Sequence, residues 1–388
     1  MALTPQQQAL QNKIDVLDSS ASTSTLLGLL VQSLDEGKII WSYDSSGQIP
    51  VDSDYHGMIH FTHDSDKIRF VGTSSKVHLL DSQDTAPVPI GPAHYQGSNY
   101  GYTAGGLPGY KTDITKYSYT TDGNSTDVGD LTVARSDARG LSSSTHGYAA
   151  GGLGPGPASK NTIDKWTFPS DANATDVGDL TLARYQTASA SSSTHGYSAC
   201  GVKDTSPGYS DIIDKVSFSS DGNATDVGDA DTAIQNTSGN QSTTNGYITG
   251  GRNATTGRTN QIQKYPFATD ANASDAADLT GDRAHHGTST SSTHAYAYGG
   301  EFNAPDVTNS IEKFLLASDV NATDVADLDA AGRYMAGTQS TTHGYYGGVN
   351  PGTPNYRIAK FPFASDTDGT TDVGDTAVYI YRAAGAQY

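Results

Sequence analysis

The chain has 388 residues, with 42 acidic against 23 basic side chains and a formal net charge of -19. Nucleic acids and anionic membranes are bound through clustered Lys and Arg, so this balance argues against either as a partner. The single cysteine, Cys200, permits no internal disulfide and no cysteine metal cluster, and we interpret it as a small buried residue.

The first segment, residues 1–38, predicts a helical anchor. Thr4 can cap a helix, Pro5 suits its first position, and Gln7 completes a capping box. A second run, from Leu26 to Leu34, is too apolar to stand alone in water. It packs either against the first helix or against further copies of the chain in a homo-oligomer.

Residues 39–85 change to a period of two in the segments WSY, GMIHF, KIRFV and KVHLL, which are separated by turn-like DSSG, HDSD and GTSS. This alternation predicts a small antiparallel β module. Residues 86–92 contain three prolines, which favour an extended, stiff linker.

The remainder, residues 93–388, repeats one unit of about 50 residues six times. Each copy has a Ser/Thr-rich segment, an aromatic before a glycine pair, an alternating strand with a central lysine, and a turn rich in Asp, Asn and Gly before a last short strand. Four strands cannot bury their own faces, so the copies predict an all-β fold, a six-bladed β-propeller. One tyrosine per copy stands at a fixed distance before the glycine pair, on a strand that must face its neighbour, so we expect these anchoring tyrosines to be core residues. They are Tyr102, Tyr148, Tyr197, Tyr247, Tyr296 and Tyr345.

The ends of the repeat region predict how the ring closes. The first copy has no strand before Tyr102, whereas the segment from Arg382 to Tyr388 resembles a first strand without a blade after it. We therefore expect the C-terminal strand to complete blade 1 and to satisfy an edge that would otherwise invite aggregation.

The six copies resemble the kelch repeat, whose units carry an aromatic, a glycine doublet, and then a bulky residue and an arginine. The tryptophan usual in the last kelch strand is absent, and four leucines stand nearest to its place: Leu131, Leu180, Leu279 and Leu328. Residues 39–85 resemble the short β modules near the N-termini of phage tail-fibre and capsid-fibre proteins, in which a GxIxF hairpin precedes KxxxV.

These resemblances imply a bacteriophage virion structural protein, of tail-fibre or capsid-fibre type. The N-terminal segment would join other virion proteins, and the propeller would mediate host attachment by binding a surface glycan or protein. No secretory signal or transmembrane run is evident, so export would follow assembly into a particle and lysis. The alternatives are a cytoplasmic, non-viral kelch-type interaction scaffold and a carbohydrate-active propeller enzyme.

A propeller sorts the candidate residues onto two faces. The turn face carries the first-to-second and third-to-fourth turns of each blade, with His146, His195, His294 and His343 and the asparagines of the DGNST, DANAT, DGNAT, DANAS and DVNAT turns. The histidines lie in different blades, so we expect turn capping and no metal. For the asparagines we expect Asx turns, and Lys165 can pair with Asp176 across adjacent strands.

The loop face carries the connections between the second and third strands, which differ in every copy. Aromatic and cationic side chains there suit sugars or a protein partner. No nucleophile elbow, HExxH motif or phosphate loop is present, so we expect a binding protein that uses no cofactor, not an enzyme. The ligand-binding candidates are Tyr110, Lys111, Lys203, Tyr209, Arg252, Arg258, Phe302, Tyr356 and Arg357.

Overall fold

The computed structural model describes residues 97–156, 158–206, 208–302, 307–349 and 356–388, together with the backbone of four short strands between residues 41 and 79. The chain divides into two units, Met1–Val88 and Pro89–Tyr388. No helix among the described residues is long and apolar enough to cross a membrane. The predicted helical anchor and the Pro-rich linker lie outside the described residues.

The first unit contains one four-stranded sheet of Trp41–Tyr43, Ile59–Thr62, Lys67–Val71 and Val77–Leu79, in that order. The last three strands pair antiparallel, whereas Trp41–Tyr43 pairs parallel to Ile59–Thr62. The first pairing therefore differs from the antiparallel prediction. Residues 44–58 separate these two strands, and a connection of this length is long enough for a parallel crossover.

The second unit is a six-bladed β-propeller, as predicted, with four strands in each blade. Blade 1 consists of Tyr100–Ala104, Lys111–Ser118, Thr126–Arg135 and Ala384–Gln387. Blade 2 consists of Arg139–Ser142, His146–Ala150, Thr162–Thr167 and Thr175–Asp179. Blade 3 consists of Ala188–Ser191, His195–Ala199, Ile212–Ser217 and Thr225–Asp229.

In blades 2 to 6 the strands are given from the axis outward, whereas in blade 1 the innermost strand is Ala384–Gln387. Blade 4 consists of Ser238–Gln241, Asn245–Asn253, Gly257–Pro266 and Ser274–Asp278. Blade 5 consists of Gly287–Thr290, His294–Tyr298, Ser310–Leu315 and Thr323–Asp327. Blade 6 consists of Ala336–Gln339, His343–Gly347, Arg357–Pro362 and Thr371–Asp375. Two short ribbons, Leu153–Gly154 with Ala158–Ser159 and Arg283–Ala284 with Glu301–Phe302, and a 3-10 turn at Phe168–Ser170 complete the described elements.

The C-terminal strand closes the ring, which confirms the prediction. Ala384 pairs with Ala104 and Ala386 with Tyr102, in antiparallel register. The carbonyl of Tyr388 then accepts the backbone N–H groups of Ser98, Asn99 and Tyr100 at 3.0, 2.6 and 2.8 Å. Blade 1 is thus built from both ends of the propeller sequence, and its strand Tyr100–Ala104 is paired on both sides.

The anchoring tyrosines are core residues, also as predicted. Tyr102 and Tyr148 are 1% and 2% exposed. Each packs on an aromatic of the next blade, with ring centroids 4.9 Å apart for Tyr102 and Phe168 and 5.0 Å apart for Tyr148 and Phe218. Because one tyrosine per copy reaches into the neighbouring blade, the repeat buries its apolar surface between blades.

The glycine pairs turn the chain out of the second strand through left-handed backbone. Gly151 and Gly152 have φ of 63° and 114°, and a Cβ on Gly151 would lie 2.5 Å from the carbonyl oxygen of Arg184. In blade 3 Cys200 occupies the first place with φ 63° and is fully buried, as the sequence predicts. In blade 6 Gly348, with φ 66°, takes that place.

Three blades bury an ion pair between the segment that enters the blade and its third strand. Arg135 pairs with Asp164 and Arg184 with Asp214, each at 3.0 Å, with all four side chains at most 1% exposed. Arg283 pairs with Glu312 in the same way. Blade 4 has Ile234 and Gln263 at these positions, so the charged partners are present together or absent together in these blades.

Candidate functional site: the loop face of the propeller

In blades 2 to 6 the first turn, on the turn face, is capped by serine. In blade 2 the backbone N–H of His146 donates to Ser143 Oγ at 3.0 Å, and its Nδ1 lies 2.8 Å from Thr145 Oγ1. Burial and then the charge of Lys165 lower the pKa of His146. The same arrangement recurs at His195, His294 and His343. In the described residues, no three His, Cys, Asp or Glu side chains come together to hold a metal ion.

The asparagines of the turn face connect neighbouring blades. Asn173 Oδ1 accepts the backbone N–H of Asp130 in the preceding blade at 3.1 Å, and Asn223 Oδ1 accepts that of Asp179 at 3.1 Å. The Asx-turn prediction is therefore wrong for these asparagines, because their side-chain oxygens bond across a blade boundary. The remaining pairs are Asn272 with Asp229, Asn321 with Asp278 and Asn124 with Asp375.

The lysine of each third strand also connects two blades. Lys165 Nζ lies 2.5 Å from Asp221 of blade 3, and the predicted pairing with Asp176 is wrong. Asp176 stands opposite Asp164 in the register, so its side chain leaves the sheet on the face away from Lys165. Exposed pairs contribute about 0 to 1 kcal/mol each. The other five are Lys116–Asp171, Lys215–Asp270, Lys264–Asp319, Lys313–Asp366 and Lys360–Asp122. The repeated side chains of the turn face thus serve the fold.

The loop face differs from blade to blade, and several of its predicted binding residues have partners within the propeller. Phe302 lies over the Arg283 guanidinium at 5.3 Å, and Arg357 pairs with Asp329. Tyr356 is 42% exposed. Tyr110 and Lys111 belong to blade 1 and Lys203 and Tyr209 to blade 3, and the Tyr209 hydroxyl accepts a hydrogen bond from Gln235 Nε2 at 3.2 Å. Their ligand-binding roles stay predictions.

Two predicted residues, Arg252 and Arg258, converge on Glu301 of the next blade. Arg258 Nη2 donates to Glu301 Oε2 at 2.6 Å, and Arg252 Nη2 lies 3.8 Å from the same oxygen. Arg333 bonds to the other carboxylate oxygen. Burial alone would raise the pKa of Glu301, but the hydrogen bond from Arg258 and the charges of the three arginines outweigh it and lower that pKa. Glu301 and Arg333 were missed at the sequence level, because neither lies in a repeated motif.

A ring of six residues surrounds the axis beside this cluster. The residue two positions before each inner strand has left-handed backbone, with φ between 55° and 65°. In five of the six steps its N–H donates to the carbonyl of the preceding member, at 2.8 to 3.0 Å. Such strained backbone is common at binding sites. The members are Asp137, Gln186, Asn236, His285, Tyr334 and Arg382. The sequence signal for this ring is a fixed position at which every copy has a different residue.

Below the ring, the axial channel is narrow. Its walls are inner-strand residues with small side chains, and a Cβ on Gly140 would lie 1.8 Å from the carbonyl oxygen of Gly385. Two cavities of about 40 and 50 Å³ lie along the axis. Arg139 reaches across from blade 2 and donates to the carbonyls of Thr187 and Thr237 at 2.7 and 2.9 Å. These cavities are too small to hold a sugar or a peptide.

The net charge at the loop-face end of the axial channel is positive, opposite to that of the whole chain. Among the described residues, five arginines face two carboxylates in the cluster, a local excess of three positive charges. Burial, followed by the charges of Arg382, Arg139, Arg252 and Arg333, lowers the pKa of His285 to about 2, so this imidazole is neutral. The arginines are Arg139, Arg252, Arg258, Arg333 and Arg382, and the carboxylates are Glu301 and Asp137.

No protein-family model matches the chain. No curated protein matches its sequence significantly.

Proposed function

We propose that this chain is a bacteriophage virion protein with no catalytic role, whose propeller binds a host-surface glycan or another virion protein through the loop face. The observation that carries the proposal is the difference between the faces. The turn face repeats side chains that tie the blades together, whereas the loop face presents different residues in each blade on a rigid ring. Variable loops on a rigid scaffold are the usual place for binding.

The virion and kelch-like assignments rest on the resemblance of the repeats and of residues 39–85 to those families. We expect the protein to be present in purified phage particles, which mass spectrometry of particles separated from host lysate would test. Its absence from particles would favour the cytoplasmic scaffold. Deletion of Met1–Leu34 should reduce the subunit number measured by light scattering and prevent incorporation, and an unchanged mass with normal incorporation would contradict the anchor.

The binding face is tested by attachment of the fluorescently labelled protein to host cells. Tyr209→Ala and Arg252→Ala should weaken attachment. The matched control is His195→Asn on the turn face, because blade 4 carries Asn245 at that position. Equal loss from the control, without unfolding, would place binding on the turn face instead. Turnover of a sugar from a glycan panel would favour an enzyme.

A further inference from the structure

We propose that the loop face binds the anionic group of an acidic glycan, a carboxylate or a phosphate, at a site formed by Arg252, Arg333 and Arg382. This inference rests on the proposed function and specifies its ligand class. The three side chains come from blade 4, from the segment entering blade 6, and from the segment that closes blade 1, and they surround Glu301 and Tyr334.

The first argument is that the cluster has more positive charge than it can neutralise. Glu301 is the only carboxylate near Arg252, Arg258 and Arg333 for which the described residues show an ion pair. Its oxygens are already bonded to Arg258 and Arg333. Arg252 is left at 3.8 Å with 39% of its side chain exposed, and within the described residues its guanidinium forms no hydrogen bond. Guanidinium groups in this position bind oxyanions through two parallel N–H donors.

The second argument is that the arginines are held in place before a ligand arrives. The Arg382 guanidinium lies 3.9 Å and that of Arg333 lies 4.9 Å from the centroid of the Tyr334 ring. Tyr334 is itself fixed by its left-handed backbone and by the His285 ring, at 4.4 Å. Side chains that are already ordered lose less conformational freedom on binding.

The third argument concerns specificity within an acidic protein. The net charge of -19 repels anions in general. The arginine cluster at the loop-face end of the narrow channel would instead concentrate an acidic ligand at one point of the loop face. Tyr334 is only partly buried and offers an apolar ring surface next to these cations. A sugar ring that carries an acidic group suits both, because it has an apolar face and a negative charge.

The chain itself supplies variants that preserve the fold. Arg252 follows a glycine pair and forms a β-bridge with Gln235, and Val202 forms the equivalent bridge with Tyr185 in blade 3. Arg333 corresponds to Gln235 two blades earlier. The test variant is therefore R252V/R333Q. The control is K116Q/K215Q, which removes the same number of positive charges from the turn face, away from the cluster.

The experiment measures binding of glucuronic acid, glucose 6-phosphate and neutral glucose by isothermal titration calorimetry at low salt. We expect either acid to bind the full chain at least tenfold more tightly than glucose. The acid that binds more tightly then shows whether the glycan carries a carboxylate or a phosphate. R252V/R333Q should lose at least tenfold of that affinity, and K116Q/K215Q less than twofold. Acids that bind no better than glucose, an unaffected R252V/R333Q, or an equal loss in the control would each overturn the site.

The same variants separate this inference from the proposed function. If R252V/R333Q attaches to host cells as well as the unsubstituted chain does while Tyr209→Ala attaches less, the anion site is wrong and binding through the loop face stands. If the unsubstituted chain neither attaches to cells nor occurs in particles, the proposed function itself is wrong.

Discussion

The buried ion pair of blade 2 allows a quantitative test of how the blades are held together. Asp164→Ala removes a carboxylate that accepts the Arg135 guanidinium at 3.0 Å and both the backbone N–H and the hydroxyl of Thr132, at 2.9 and 2.6 Å. Both charged side chains are fully buried. The guanidinium would keep its bond to the Ala149 carbonyl but lose its counter-charge. Breaking such a pair costs about 3 to 5 kcal/mol.

Blade 4 provides the matched double variant, Arg135→Ile with Asp164→Gln. In that blade Ile234 replaces the arginine, and the Gln263 amide accepts the backbone N–H of Thr232 and donates to its carbonyl, each at 3.3 Å, so the buried amide has partners in this segment. Replacing both members of a buried pair is often neutral or stabilising. We therefore expect the double variant to be more stable than Asp164→Ala by at least about 2 kcal/mol.

Urea denaturation followed by circular dichroism and by tryptophan fluorescence measures the free energy of unfolding of all three proteins. Coincident transitions from the two probes are needed, because a propeller can unfold through intermediates. A loss below about 1 kcal/mol in Asp164→Ala, or a double variant no more stable than the single one, would refute the reasoning.

Three further predictions concern closure, the thiol and pH. Truncation after Val378 removes the inner strand of blade 1, so it should lower the melting temperature sharply and cause self-association in light scattering; a truncated chain that melts like the full one would contradict ring closure. Burial raises the pKa of the Cys200 thiol to about 12, so it should react with a disulfide reagent only after unfolding; prompt reaction of the native protein would contradict this. The pKa values of His285 and His286 are lowered in the folded protein, so the unfolded state binds more protons. The free energy of unfolding should therefore fall as pH drops below about 6.5, by about 2 kcal/mol for each histidine at pH 5. Replacing them with the Asn–Thr pair of blade 4, H285N/H286T, should remove most of the loss in urea midpoint between pH 7 and 5, and an equal loss in both proteins would be evidence against these histidines.

The sequence alone determined the features that follow from local periodicity. A tyrosine at a fixed distance before a glycine pair, and an alternating strand after it, predict one buried face per copy, and this led to six blades and to the core position of Tyr148. Closure could also be predicted, because the segment after Arg382 repeats a first strand that blade 1 lacks. Both inferences depend on which residues alternate along the chain, and the chain order already contains that information.

The tertiary structure alone decided which side chains meet across blade boundaries. Lys165 reaches Asp221 instead of Asp176, because the register turns Asp176 to the other face of its sheet and the rotation between blades brings Asp221 close. Arg252, Glu301 and Arg333 are likewise separated along the chain and belong to no common motif. They form a cluster only because consecutive blades are set around one axis, and the positions at which such contacts occur are fixed by the packing of the inner strands.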